Sequence, residues 1–180
     1  YLVNQTDWTD KSTSSIPKKI WICWFQGEEN APDIVKMCIA SVRKTFSDYS
    51  VIVITDKNID EYIEIPKFIK DKRKKGIIKP AHFSDLIRLE LLIKYGGIWL
   101  DSTVFVNSKN LIEHILEGEE RLFVYQDFKA IDSYVGISNW CIEANKNNPY
   151  LSTVRNMLMD YWNKCNSVCN YYIFHMFFMI

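Results

Sequence analysis

Apolar residues are distributed along this chain in two distinct rhythms. Some segments are apolar without interruption, as in IWICWF (residues 20–25), YSVIVIT (49–55) and GGIWLD (96–101). Such runs predict strands covered on both faces, because a strand with one wet face would alternate. Elsewhere apolar residues return every three or four positions. Ile34, Val35, Cys38, Ile39 and Val42 do so and predict a helix over 33–45, with Pro32 suited to its first turn and Lys36, Arg43 and Lys44 left outside. Helices are also expected over 57–63, 81–95, 108–117 and 149–164. RLFVYQ (121–126) reads as a further strand, and YVGISNW (134–140) as a turn or short strand. Elements alternating at this spacing predict an α/β fold with a mostly parallel central sheet flanked by helices.

Residues 1–15 are polar and rich in Ser and Thr, and read as a loosely held arm. Residues 16–180 contain no repeat and no low-complexity linker, so one domain is expected. The terminal run YYIFHMFFMI reads as the start of a buried element whose continuation lies outside the chain, which predicts a fragment of a longer protein. No stretch approaches the roughly 18 apolar residues that cross a bilayer, and no signal peptide opens the chain.

Composition narrows the picture further. Hydrophobic residues make up 48% and aromatics 14%, the profile of a folded core. Lys and Arg number 22 against 22 Asp and Glu, so no whole-chain field concentrates a polyanion and broad nucleic-acid binding is disfavoured. Five cysteines, an odd number without dense spacing, indicate reduced thiols in a cytosol-like compartment. Cys165 and Cys169 share a helical face but lack the second Cys or His pair that a zinc site needs. The sequon Asn4-Gln5-Thr6 is weak evidence for secretion.

The chemistry concentrates in HFSDLIRLELLIKYGGIWLDSTVF, residues 82–105. Asp85 and Arg88 are three apart on a helix whose Leu86, Leu89, Leu92 and Ile93 mark it as substantially buried. Taken alone, the pair reads as an ordinary i, i+3 salt bridge. The strand that follows delivers Asp101 at its carboxyl end, where open α/β sheets bind ligands. A plain turn or cap is the competing reading of that Asp. If the strand continued, Asp101 and Thr103 would point the same way and offer oxygens suited to Mg²⁺ or Mn²⁺ on a diphosphate.

SDLIRLELLIKYGGIWLDST resembles the signature of the DXD-containing sugar-transferase family, which includes capsular-polysaccharide synthesis enzymes and, more distantly, the clostridial glucosylating toxins. The matching pattern is Ser-Asp, an Arg three residues on, Tyr-Gly-Gly, and a strand ending in Asp. IPKKIWICWFQG is similar to that family's first strand, and ISNWCIEANKNNP to a later segment, so the likeness spans residues 16–160. It implies a GT-A-type nucleotide-sugar fold and a retaining transfer of a hexose, from a UDP-sugar by preference, to a saccharide or lipid-linked acceptor in capsular or surface polysaccharide synthesis.

The resemblance also implies roles. Trp24 would stack on the nucleobase, Asp85 and Arg88 would hold donor-sugar hydroxyls, with Arg88 also reaching a phosphate oxygen, and Asn139 would touch the donor. Asp101 would contact the ribose or a Mn²⁺ or Mg²⁺ ion. Thr103 stands where many relatives carry the second Asp, which puts strong metal binding in doubt and makes Asp127 a candidate substitute. No catalytic base is assigned. The cations among Lys67–Lys75, six against the single acid Asp71, read either as a solvated face or as attraction to the inner, cytoplasmic face of a membrane. His82, His114 and His175 read as core or surface residues, and Trp99, Trp140 and Trp162 as packing. Two other classes stay open: a donor-binding relative that hydrolyses or never transfers, and a non-enzymatic module in which Asp85 and Arg88 are a core ion pair.

Overall fold

The computed structural model describes residues 16–109, 122–126 and 135–180. Five strands form one sheet: β1 (Lys19–Cys23), β2 (Ser50–Ile54), β3 (Gly97–Leu100), β4 (Leu122–Gln126) and β5 (Ile137–Ala144), in the order β2-β1-β3-β5-β4. β1 pairs in parallel with β2 and β3, whereas β5 runs antiparallel to both β3 and β4. The sheet is therefore mostly parallel, with β5 alone reversed. The expected 134–140 turn or short strand is in fact the start of an eight-residue strand, and its pairing with β4 shifts register between Val124 and Tyr125.

Alternation along the strands sorts side chains to two cores. Trp21, Trp99, Ile142 and Ala144 face one side. Ile20, Ile22, Ile98, Leu100 and Cys141 face the other. The second side is covered by α1 (Asp33–Thr45), which buries Val35, Cys38, Ile39 and Val42 and leaves Ile34, expected inside, exposed. The short α2 (Ile59–Tyr62), α3 (Lys67–Lys74), α4 (Pro80–Tyr95), α5 (Pro149–Lys164) and α6 (Ile173–Phe178) contribute apolar side chains to the first. The expected helix over 108–117 and the 1–15 arm fall wholly or mainly outside the described residues.

α4 is the axis of the molecule. His82, Phe83, Asp85, Leu86, Ile87, Arg88, Leu89, Leu91 and Leu92 are all buried, so it is covered on most of its circumference. It ends at a double glycine for a steric reason. Gly97 has φ 103°, and a Cβ there would lie 2.6 Å from the Lys19 carbonyl oxygen. Gly96 combines φ 68° with ψ −168°, a conformation open essentially to glycine. The turn delivers β3 directly beside β1, and Trp21 Nε1 locks it by donating to the Gly96 carbonyl at 2.9 Å.

The basic segment is helix α3, and four of its cations are engaged within the protein. Lys67 pairs with Asp71, Lys70 with Asp60 and Arg73 with Asp56, while Lys72 donates to the carbonyls of Trp162 and Cys165. No helix among the described residues is long and apolar enough to cross a membrane.

Candidate functional site

β3 stops at Leu100, and its last residues aim the chain at a cavity of about 320 Å³ beyond the sheet's carboxyl edge. Asp101 leaves the strand by donating its N–H to the Trp140 carbonyl at 2.8 Å and closes a turn by accepting from Val104 N–H at 3.0 Å. Asp101, Ser102 and Thr103 line the cavity from this turn, not from a continuing strand. The expected shared orientation of Asp101 and Thr103 through strand alternation therefore does not apply. The turn brings both to the cavity instead, with Thr103 exposed.

One face of α4 makes the inner wall. Arg88 is 4% exposed and Asp85 7%. Arg88 Nη2 lies 3.4 Å from Asp85 Oδ1 and 3.3 Å from Asp101 Oδ1, and Nη1 donates to the Asn139 carbonyl at 2.5 Å. Its guanidinium sits over the Trp99 ring at 4.9 Å, and Trp99 Nε1 in turn donates to Asp101 Oδ1 at 2.8 Å. Asn139 closes the ring by donating Nδ2 to Asp85 Oδ1 at 3.2 Å. Asp85, Arg88, Asp101 and Asn139, scattered over 55 sequence positions (85 to 139), thus form one connected network. Charge-assisted bonds of this kind hold the side chains in fixed relative positions. Both outer nitrogens of the Arg88 fork are committed to protein oxygens, so its position is that of a clamp on Asp101 and on β5.

Trp24 stands apart. Neighbouring strand residues face opposite ways, so Cys23 lines the cavity while Trp24 packs on the far side against the α1 core, its Nε1 buried without a hydrogen-bond partner. Burial pushes the Cys23 thiol up to about 12, which keeps it neutral and unreactive at the cavity wall.

More of the wall comes from the 171–178 segment. Tyr171, Tyr172 and His175 line the same cavity as His82 and Asp85, with the Tyr171 ring 5.6 Å from the His82 ring. Sequence reasoning took this run only as the beginning of a buried element, and took His82 as core or surface. The missed signal is spacing: His82, Asp85 and Arg88 stand at i, i+3 and i+6, one stripe of a single helix.

Among the described residues no group of three or more His, Cys, Asp or Glu side chains comes together as a metal cluster. Asp101 nonetheless has one carboxylate oxygen that the protein leaves open. Oδ1 is taken by Trp99 and Arg88, and no donor among the described residues reaches Oδ2. One carboxylate with the Ser102 and Thr103 hydroxyls beside it fits Mg²⁺ or Mn²⁺, which draws its remaining oxygens from phosphates and water. Asp127, the candidate second acid, lies outside the described residues.

Comparison with known proteins supports this architecture. Residues 2–180 match the model of a family described as capsular polysaccharide synthesis protein. The O-glycosyltransferase braB of Annulohypoxylon truncatum is 26% identical over 165 residues, covering 84% of this chain and 39% of that protein. The O-glycosyltransferase PaGT of Phomopsis amygdali is 24% identical over 162 residues, covering 83% of this chain and 40% of that protein. The chain thus spans about two fifths of the length of these relatives. Among solved structures, the PaToxG glycosyltransferase superposes with a TM-score of 0.59 at 17% identity, covering 91% of this chain and 69% of that one. A GT-A-type fold is shared at that level.

Proposed function

Because the chain belongs to the capsular polysaccharide synthesis protein family, we propose that it is the donor-binding part of a retaining glycosyltransferase. On this reading it moves a hexose from a UDP-sugar to a saccharide or lipid-linked saccharide acceptor in capsular or surface polysaccharide assembly. The observation that carries the reading is the convergence of Asp85, Arg88 and Asp101 on one cavity at the carboxyl end of β3. That is where α/β sheets of this kind hold their ligands.

The chemistry asked of the site is limited and matches what is there. The bond from the anomeric carbon to the diphosphate breaks as that carbon passes through an oxocarbenium-like state, and a bond to the acceptor oxygen forms. A Mg²⁺ or Mn²⁺ ion bound at Asp101 Oδ2 and Thr103 would neutralise charge on the departing diphosphate. Arg88 keeps Asp101 and the Asn139 backbone where they are needed, and Asp85 faces the sugar. Donor and acceptor seated in the cavity would displace the water that competes with the acceptor. With Cys23 neutral, a front-face path in which the leaving phosphate takes the acceptor proton requires no protein nucleophile and no protein base. Stacking of the nucleobase on Trp24 would require that side chain to leave its packed position. A lipid-linked acceptor would bring the protein to the inner face of a membrane. Three of the α3 cations are paired with acids, which weakens its attraction to such a surface.

Calorimetric titration of a UDP-sugar panel, with and without Mn²⁺, tests this against the other two readings. Sugar-selective binding that Asp101→Ala reduces at least tenfold, in a variant that still unfolds cooperatively, supports donor binding. Product formation with a saccharide acceptor then separates a transferase from a relative that only hydrolyses or holds the donor. A well-folded protein that binds none of the panel returns Asp85 and Arg88 to a core ion pair.

A further inference from the structure

Besides the buried Nε of Arg88, three polar groups around the cavity each have an atom without a hydrogen-bond partner among the described residues. His82 is 4% exposed, and its Nδ1 is buried without a hydrogen bond. Asp85 Oδ2 lies 3.8 Å from that nitrogen, too far for a hydrogen bond, and no other donor among the described residues reaches it. His175, which lines the same cavity, also has a buried Nδ1 without a partner among the described residues. Burial lowers the His175 pKa below its ordinary 6.5, so this imidazole is neutral at pH 7, with one nitrogen to donate and one to accept. A buried nitrogen left unpaired is costly and calls for an explanation, and for two imidazoles lining one cavity a ligand group that supplies the missing bond is such an explanation.

The chemistry of that ligand follows from the three groups. Asp85 Oδ2 accepts only, and its negative charge repels phosphate and carboxylate. Imidazole nitrogens offer one donor or one acceptor each. A hydroxyl is the small neutral group that donates to the carboxylate while it accepts from a ring nitrogen, so it bridges the His82–Asp85 gap. His82 is also held to one place, with its ring 5.9 Å from Trp162 and 5.6 Å from Tyr171. A ring so fixed distinguishes hydroxyls by direction.

We propose that His82, together with Asp85 Oδ2 and His175, binds ring hydroxyls of the donor sugar and sets which sugar this site accepts. The inference rests on the donor-site reading above and adds the element that chooses among sugars. Glucose and galactose differ only in the direction of one hydroxyl, so a wall of fixed donors and acceptors is suited to telling such epimers apart.

The test uses His82→Phe, which keeps a ring against Trp162 and Tyr171 but deletes both nitrogens. UDP-glucose, UDP-galactose, UDP-N-acetylglucosamine and sugar-free UDP are each titrated calorimetrically into wild type and variant, with a thermal melt to confirm folding. The expected result is about a tenfold loss of affinity for the preferred UDP-sugar, the worth of one good hydrogen bond. UDP itself should bind as before, and His82→Asn, whose amide lies near the position of Nδ1, should recover part of the loss. Equal effects on UDP and UDP-sugars, or none on either, overturn the role of His82 while leaving the donor site intact. A folded wild type that binds neither UDP nor any UDP-sugar removes the donor-site reading and this inference with it.

Discussion

Two carboxyl groups on opposite faces of the sheet are withdrawn from water under opposite conditions. Asp85 has two partners on one oxygen, Arg88 at 3.4 Å and Asn139 Nδ2 at 3.2 Å. Glu143, on β5, is fully buried, and neither of its oxygens has a hydrogen-bond partner among the described residues. Its cross-strand neighbours are the apolar Ile98 and Phe123. Burial therefore raises the Glu143 pKa to about 8, so at neutral pH it sits in the sheet chiefly as the uncharged acid. The contrast shows what α4 supplies. A buried carboxylate is tolerated where a cation and an amide accompany it into the interior, and otherwise keeps its proton.

The largest expected effect comes from making Asp85 resemble Glu143. Arg88→Ala removes the cation and leaves Asp85, the Asn139 carbonyl and Asp101 Oδ1 short of partners, which costs about 3–5 kcal/mol. Urea unfolding monitored by tryptophan fluorescence reads this as a large drop in midpoint with unchanged slope. A variant as stable as wild type would show that hydrogen bonds to Asn139 suffice to keep Asp85 buried.

Glu143→Gln gives a second, smaller effect, visible in the pH dependence. The folded pKa of Glu143 lies above its ordinary 4.5, so the folded state binds the proton more tightly than the unfolded chain. The stabilisation is fully present below about pH 4.5 and is lost as pH rises towards and through 8. Wild-type stability should carry this downward slope between those limits, and Glu143→Gln should abolish that component. Parallel pH profiles for the two proteins would mean that Glu143 gains a partner in solution.

The smallest effect is expected at an exposed carboxylate. Lys67 lies 2.6 Å from Asp71 on the surface of α3 and lowers its pKa, yet both side chains are well solvated. Asp71→Asn should leave the thermal midpoint within experimental error at physiological salt. A clear shift would show that a surface pair can rival the buried network, and would weaken the contrast drawn between the two faces.

Much of the scaffold could be read from the sequence because its signals are local. Helix 33–45 is found at its expected limits, and the uninterrupted runs around Trp21, Val51 and Trp99 became strands of the sheet. The Tyr-Gly-Gly break is legible because only glycine tolerates those backbone angles. The reversed direction of β5 was not legible, since periodicity within a strand carries no information about which way its neighbour runs. Nor was the register shift that places the Asn139 carbonyl on Arg88.

The sequence by itself determined that Asp85 and Arg88 share a helix face, because the helical period fixes it, and that Asp101 follows directly on the next strand, because the apolar run ends there. Tertiary structure alone decided which groups face the cavity. Cys23 and Trp24 had to point to opposite faces, but only packing against α1 and α4 settled which face was which. Tyr171 and His175 come to the cavity that His82 lines across 89 and 93 positions of sequence, counted from 82 to 171 and to 175. Contacts at such separation depend on how α5 and α6 dock against α4. That docking is set by the summed burial of many apolar side chains, and no single stretch of sequence encodes it.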